Sequence, residues 1–164
     1  FEKDVVLLRQ LGLRHYNFSV SWPRVQPSGR NPTNPAGLDF YGRLVDCLIR
    51  HGIEPIVTLY HWDLPSALQA ELGGWMSREV VPLFAGYARE VFRALARRGV
   101  RRWITLHEPW CVAVLGHGSG VHAPGHVGPG CEAAYRVGHH LLLAHAEAAR
   151  VFREELSLDA EGGR

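Results

Sequence analysis

Three times along this chain an apolar-periodic helix runs into a glycine and then, within a few residues, into a strand. Residues 1–11 end at Gly12 before "HYNFSVSW", residues 39–50 end at Gly52 before "IEPIVTLYHW", and residues 77–98 end at Gly99 before "VRRWITL". A glycine at each helix end supplies the left-handed residue that closes a helix cheaply. In the third helix Val80, Phe84, Tyr87, Ala88, Val91 and Leu95 recur at helical spacing. Ser77 is placed to cap it, with Glu79 in the first turn favouring the dipole. A fourth helix is expected over about 132–155. Helices and strands alternating through short turns mean parallel strands with crossover helices.

The loops sharpen that reading. Helix-to-strand turns are a few residues, but the strand-to-helix connections, about 23–38, 63–76 and 109–131, are long and hold most of the prolines together with Trp62, Trp75, Trp110 and several histidines. Long, chemically varied loops at one end of the strands are how a (β/α)8 barrel builds its active face. The reading is therefore α/β, one partial (β/α)8 TIM barrel domain over 1–164. A doubly wound nucleotide fold would show a short Gly-rich first turn; "GHGSG" (116–120) has neither that spacing nor that position. A piece of three strands exposes two sheet edges and much apolar helix surface, so in isolation it should be unstable or associated with something.

Bulk properties exclude several classes. A net charge of +2 gives no polyanion-binding signature, so no nucleic acid is expected, and Arg97, Arg98, Arg101 and Arg102 read as a solvated turn. No apolar run reaches the roughly 18 residues of a membrane span. Cys47, Cys111 and Cys131 are odd in number and widely spaced. They are expected as small buried hydrophobes in a reducing compartment such as the cytoplasm. His117, His122 and His126 fit no standard zinc spacing and are expected in a loop. "HEPWC" is not HExxH, because position 111 is Cys. Adjacent His139 and His140 cannot share one helical face. No metal or cofactor is expected.

The strand ends carry the chemistry. The first presents Asn17, Ser19, Ser21 and Trp22, the second Tyr60, His61 and Trp62, and the third His107 and Glu108 with Trp110 just after. Indole platforms with hydrogen-bonding side chains suit a sugar, whose C–H face stacks while its hydroxyls need directional partners. An acid in that setting suits glycoside hydrolysis, where it protonates the leaving oxygen.

Five motifs, "SWPR" (21–24), "TLYHWDLP" (58–65), "LGGW" (72–75), "TLHEPW" (105–110) and "GSGVHAPG" (118–125), stand in the order found in family-1 glycoside hydrolases, the β-glucosidase family, which the chain resembles over essentially its whole length. The resemblance implies about strands 2–4 of the barrel of a retaining β-glycosidase acting on β-linked glycosides. Glu108 matches the general acid/base and His61 a histidine that binds sugar hydroxyls. Trp62 lies beside that subsite, and Trp110 matches an aromatic near the leaving group. Trp22 and Trp75 are expected in the core or anchoring loops.

The mechanism needs a second carboxylate about 5–5.5 Å away, which the family carries in a late Thr-Glu-Asn-Gly-like segment. Nothing similar occurs here: Glu132, Glu147, Glu154, Glu155 and Glu161 lie on or beyond the last helix. The chain is expected to be an amino-proximal portion that needs the rest of the barrel and shows no hydrolysis alone. Two positions depart from the family. His107 stands where it has an Asn that binds the sugar 2-hydroxyl, and Asn17 where it has an Arg that pairs with the nucleophile. Losing that cation weakens the nucleophile's ionisation. These departures favour an alternative, a non-catalytic sugar- or protein-binding relative; Glu108 and "YHWDLP" favour the enzyme.

Overall fold

The computed structural model describes residues 1–128, 130–158, 160 and 162–163. Three parallel strands, β1 (His15–Ser19), β2 (Glu54–Tyr60) and β3 (Arg102–Leu106), form one sheet in the order β1-β2-β3. The register pairs Asn17 with Ile56 and Thr58 with Ile104. Helices α1 (Glu2–Gln10), α3 (Pro35–Arg50) and α5 (Val80–Ala96) precede the three strands in turn. As expected, Gly12, Gly52 and Gly99 close the helix-to-strand turns at φ of 76°, 69° and 98°. A Cβ at Gly12 or Gly52 would meet nothing within 4 Å, so the requirement there is the backbone angle and not space.

The long connections hold short helices. The first contains α2 (Trp22–Val25), so β1 stops at Ser19 and not at Trp22. The second contains α4 (Ser66–Leu72) and a 3₁₀ turn, Gly74–Met76. The third contains π-helical turns at Cys111–Leu115 before α6 (Glu132–Arg150), which itself runs into π-helical turns at Val151–Glu155. Helix α3 begins four residues before the expected 39, because Asn34 caps it by accepting from the Ala36 amide and Pro35 suits the first turn. Helix α5 begins three residues after the expected 77. Ser77 still caps, its hydroxyl accepting from the Glu79 amide at 3.3 Å, but it caps a leading turn and not α5 itself.

The core lies between the sheet and its helices. Trp22 stacks on Tyr87 with ring centroids 5.1 Å apart, and Trp75 meets Tyr60 and Phe84 at 5.3 and 5.9 Å. Both indoles are buried, as expected for core residues. The Tyr87 hydroxyl reaches the carbonyls of Leu59 at 2.8 Å and Val20 at 3.1 Å, tying the ends of β1 and β2 together from behind. A second cluster, Val5, Leu44, Cys47, Leu48 and Ile53, seats α1 and α3 under β1. Strand β2 is largely buried, whereas β1 and β3 are half-exposed edges. Leu7, Leu11, Tyr135 and Leu142 are exposed apolar side chains on or beside the helices, the surface that a partial barrel leaves open.

At the amino end of the strands, Glu54 is held from both sides, by His15 at 3.1 Å and Arg102 at 2.9 Å. Side chains from all three strands meet there around one carboxylate. The opposite end is built differently.

Candidate active site

At the carboxyl end of β2 and β3 the backbone turns sharply enough that two non-glycine residues take positive φ: Trp62 at 70° and Glu108 at 45°. Such conformations cost about 1–3 kcal/mol each and persist where the surroundings hold them. At Trp62 the hold is visible. Its indole N–H donates to the His107 carbonyl at 3.0 Å, locking the turn after β2 to the turn after β3. The His107 amide in turn donates to the Tyr60 carbonyl at 2.9 Å.

Four of the five expected site residues converge here. The His61 and His107 rings lie 3.8 Å apart between centroids, tilted by 35°. Trp62 is 6.2 Å from His107 and has His122 against it at 5.1 Å. His107 Nε2 lies 3.7 Å from Glu108 Oε1, and the Cys111 thiol donates to Glu108 Oε2 at 3.3 Å. The Glu108 side chain is 53% exposed, open to an incoming molecule yet touched on both oxygens. Trp110 belongs to the same segment but lines an apolar groove of about 890 Å³, shared with Tyr135 and Leu142 of α6. Its ring makes no contact with His61, Trp62 or His107 among the described residues.

The first strand contributes less than expected. Asn17 spends its amide on the sheet, donating to the Ile56 carbonyl at 3.2 Å and to Thr58 Oγ1 at 3.1 Å. Trp22 and Tyr60 are core residues and present nothing to solvent. Ser21 donates its amide to the Tyr41 hydroxyl at 2.8 Å.

Two groups at this end escaped the sequence reading. Asp63 stands two residues after His61, with Oδ1 buried and unpaired. Burial raises its carboxyl above the ordinary range, partly offset by the Ser21 hydroxyl, the amides of Asp63 and His61, and the His61 charge. The signal was its position inside "HWDLP", one turn residue past the imidazole. Cys111 is the second. Of the three cysteines only Cys47 is buried; Cys111 is half-buried and Cys131 exposed, which corrects the expectation of three buried hydrophobes. Desolvation and then the Glu108 carboxylate push the Cys111 thiol up.

The histidines also separate. His117 is not a loop residue but a buried one, its Nδ1 donating to the Val112 carbonyl at 2.9 Å. His140 is buried on the Trp75 carbonyl at 2.7 Å, and His145 bonds Thr105 Oγ1 at 2.8 Å. Among the described residues no group of three or more His, Cys, Asp or Glu is placed to hold a metal ion. Glu132 and Glu147 pair with Arg136 and Arg150 on α6, and Glu155 with Arg89, while Glu161 lies outside the described residues. The arrangement thus offers one accessible carboxyl beside imidazoles and an indole. It can hold a hydroxylated ring and deliver or accept one proton.

Comparison with known proteins agrees with this geometry. The model of Glycosyl hydrolase family 1 matches residues 1–163. The chain is 50% identical over 154 residues to β-glucosidase A of Thermotoga maritima, covering 94% of this chain and 34% of that protein. It is 42% identical to β-glucosidase 6 of Oryza sativa subsp. japonica, covering 99% of this chain and 33% of that one. The solved β-glucosidase of Thermotoga maritima in complex with castanospermine superimposes with a TM-score of 0.92 at 48% identity, over 99% of this chain and 35% of that one. The chain therefore spans about a third of the length of the curated relatives it matches.

Proposed function

The chain belongs to glycosyl hydrolase family 1, its three strands being part of the family's (β/α)8 barrel, and on that premise we propose that residues 1–164 form one part of a single barrel domain and carry the acid/base half of a retaining β-glycosidase of the β-glucosidase kind. The observation that carries this reading is the placement of Glu108: accessible, at positive φ, at the carboxyl end of β3, with His61, Trp62 and His107 around it. The Thermotoga maritima relative has been solved with glucoimidazole and with castanospermine, which supports a β-linked glycoside as the substrate class.

In this reading Trp62 and the imidazoles of His61 and His107 receive the sugar whose bond is cut, and Trp110 lies toward the leaving group. A carboxylate from the rest of the barrel attacks the anomeric carbon. The Glu108 carboxyl gives its proton to the departing oxygen as the C–O bond breaks. Glu108, now a carboxylate, then takes a proton from water, and that water displaces the enzyme from the sugar. The rest of the barrel is the partner this requires. Along the open β3 edge a cavity of about 540 Å³, walled by Phe92, Trp103, Thr105 and His145, supports a continuing sheet.

The test joins residues 1–164 to the carboxyl two thirds of the Thermotoga maritima relative. Glu108→Ala should lower kcat/KM for glycosides with poor leaving groups by two orders of magnitude or more, and for dinitrophenyl glycosides much less, since these leave with little protonation. Equal loss on both would remove Glu108 from the acid role. The alternative, a non-catalytic relative, draws on Asn17, whose amide is consumed within the sheet. An inactive chimera that regains turnover on Asn17→Arg with His107→Asn would favour it.

A further inference from the structure

We propose that Cys111 is a positioning residue for Glu108: its thiol proton fixes Oε2, so that the proton delivered to the glycosidic oxygen is carried on Oε1. This rests on Glu108 being the acid, and it adds a group that the assignment does not require.

The geometry is local and specific. Glu108, at φ 45°, starts a tight turn in which the Cys111 amide donates to the Glu108 carbonyl at 2.9 Å. That turn opens the π-helical segment Cys111–Leu115 and brings the residue three positions on back over the carboxyl, with Sγ 3.3 Å from Oε2. Among the described residues the other oxygen has no such donor, because His107 Nε2 stands 3.7 Å from Oε1, beyond hydrogen-bond reach. The two oxygens are therefore unequal. One is tied to the thiol, and the other, 3.7 Å from His107 Nε2, is left to bear the acid proton.

A half-exposed glutamate otherwise rotates among several rotamers, and a proton donor loses rate when it is out of line. A thiol is a weak donor, but it donates here only while it remains S–H. Its surroundings keep it so, since desolvation and the Glu108 carboxylate both hold the thiol proton on. Alanine would leave Oε2 untied, whereas serine would restore a donor at nearly the same place.

In the chimeric glycosidase, Cys111→Ala should lower kcat/KM for poor leaving groups about fivefold, the factor for one hydrogen bond worth ~1 kcal/mol. KM should change little, dinitrophenyl glycosides should change less than twofold, and Cys111→Ser should recover most of the loss. Loss of equal size on both substrate types, or no loss, would overturn the proposal. The contact itself is read in the 164-residue chain by iodoacetamide labelling of Cys111 against pH. In Glu108→Gln the labelling profile should move to lower pH, and an unmoved profile would overturn the contact even if the chimera gave no turnover. If Glu108→Ala instead lowers kcat/KM equally for both substrate types, the acid assignment fails while the labelling shift still reports the contact.

Discussion

The two ends of the one sheet are built on opposite principles. At the amino end Glu54 is matched on both sides by His15 and Arg102, on regular strand backbone. At the carboxyl end Trp62 and Glu108 take costly positive φ, two imidazole rings lie 3.8 Å apart, and Asp63 keeps a buried oxygen unpaired. The first end resolves its charges and contributes stability. The second holds several of its groups in strained or unpaired states. In barrels, chemistry sits at the carboxyl face, and here that face carries two positive-φ residues and a buried, unpaired carboxyl oxygen.

The largest effect that could break this contrast is Glu108→Gly. In the chimeric glycosidase it should cost about 10²–10⁴ in kcat on poor leaving groups. In urea unfolding of the chain it should leave stability unchanged or raise it by up to ~1 kcal/mol, because glycine accepts φ of 45°. A destabilised variant would show that the carboxyl end is not strained. The mirror experiment is Glu54→Gln, which removes the partly exposed Glu54–Arg102 ion pair and the contact with His15. It should lower stability by about 0.5–1 kcal/mol and leave kcat/KM alone; a changed kcat/KM would erase the division between the ends.

Asp63 gives a smaller, pH-dependent effect. Burial raises its folded-state carboxyl above the ordinary value of about 3.9, so the folded chain binds the proton more tightly than the unfolded one. Stability from this group is present at low pH and falls as pH rises from about 4 through the raised value. Asp63→Asn should flatten that fall in urea midpoints measured between pH 3.5 and 6.5, and an unaltered slope would mean the burial is not felt. His107→Asn should raise turnover of sugars bearing a 2-hydroxyl by a few-fold. No change would mean that the imidazole does the amide's work or does not touch the sugar.

Much of this was legible in the residues. The helix–glycine–strand order gave the parallel sheet, because helix closure and strand alternation are local properties. His61, Trp62, His107 and Glu108 follow from standing at the carboxyl ends of two strands, in the turns just past Tyr60 and Leu106. Short helices such as Trp22–Val25 and Ser66–Leu72 were not legible, since four to seven residues show no clear helical period. Asn34–Pro35 was a readable start signal that the apolar spacing, beginning later, obscured. Cys111 over Glu108 depends on a π-helical turn, and the burial of His117 on the Val112 carbonyl. Neither leaves a periodic trace in the sequence.

The central claim, that this chain supplies the proton donor and acceptor of a retaining glycosidase, is tested most directly by azide rescue. With Glu108→Ala in the chimera and a dinitrophenyl β-glucoside as substrate, the glycosyl-enzyme should form but wait for water that no base activates. Azide needs no base and fits the space left by the carboxyl. The account predicts that azide restores turnover and yields the β-glucosyl azide, with configuration retained. No acceleration by azide, or an α-configured product, would contradict it.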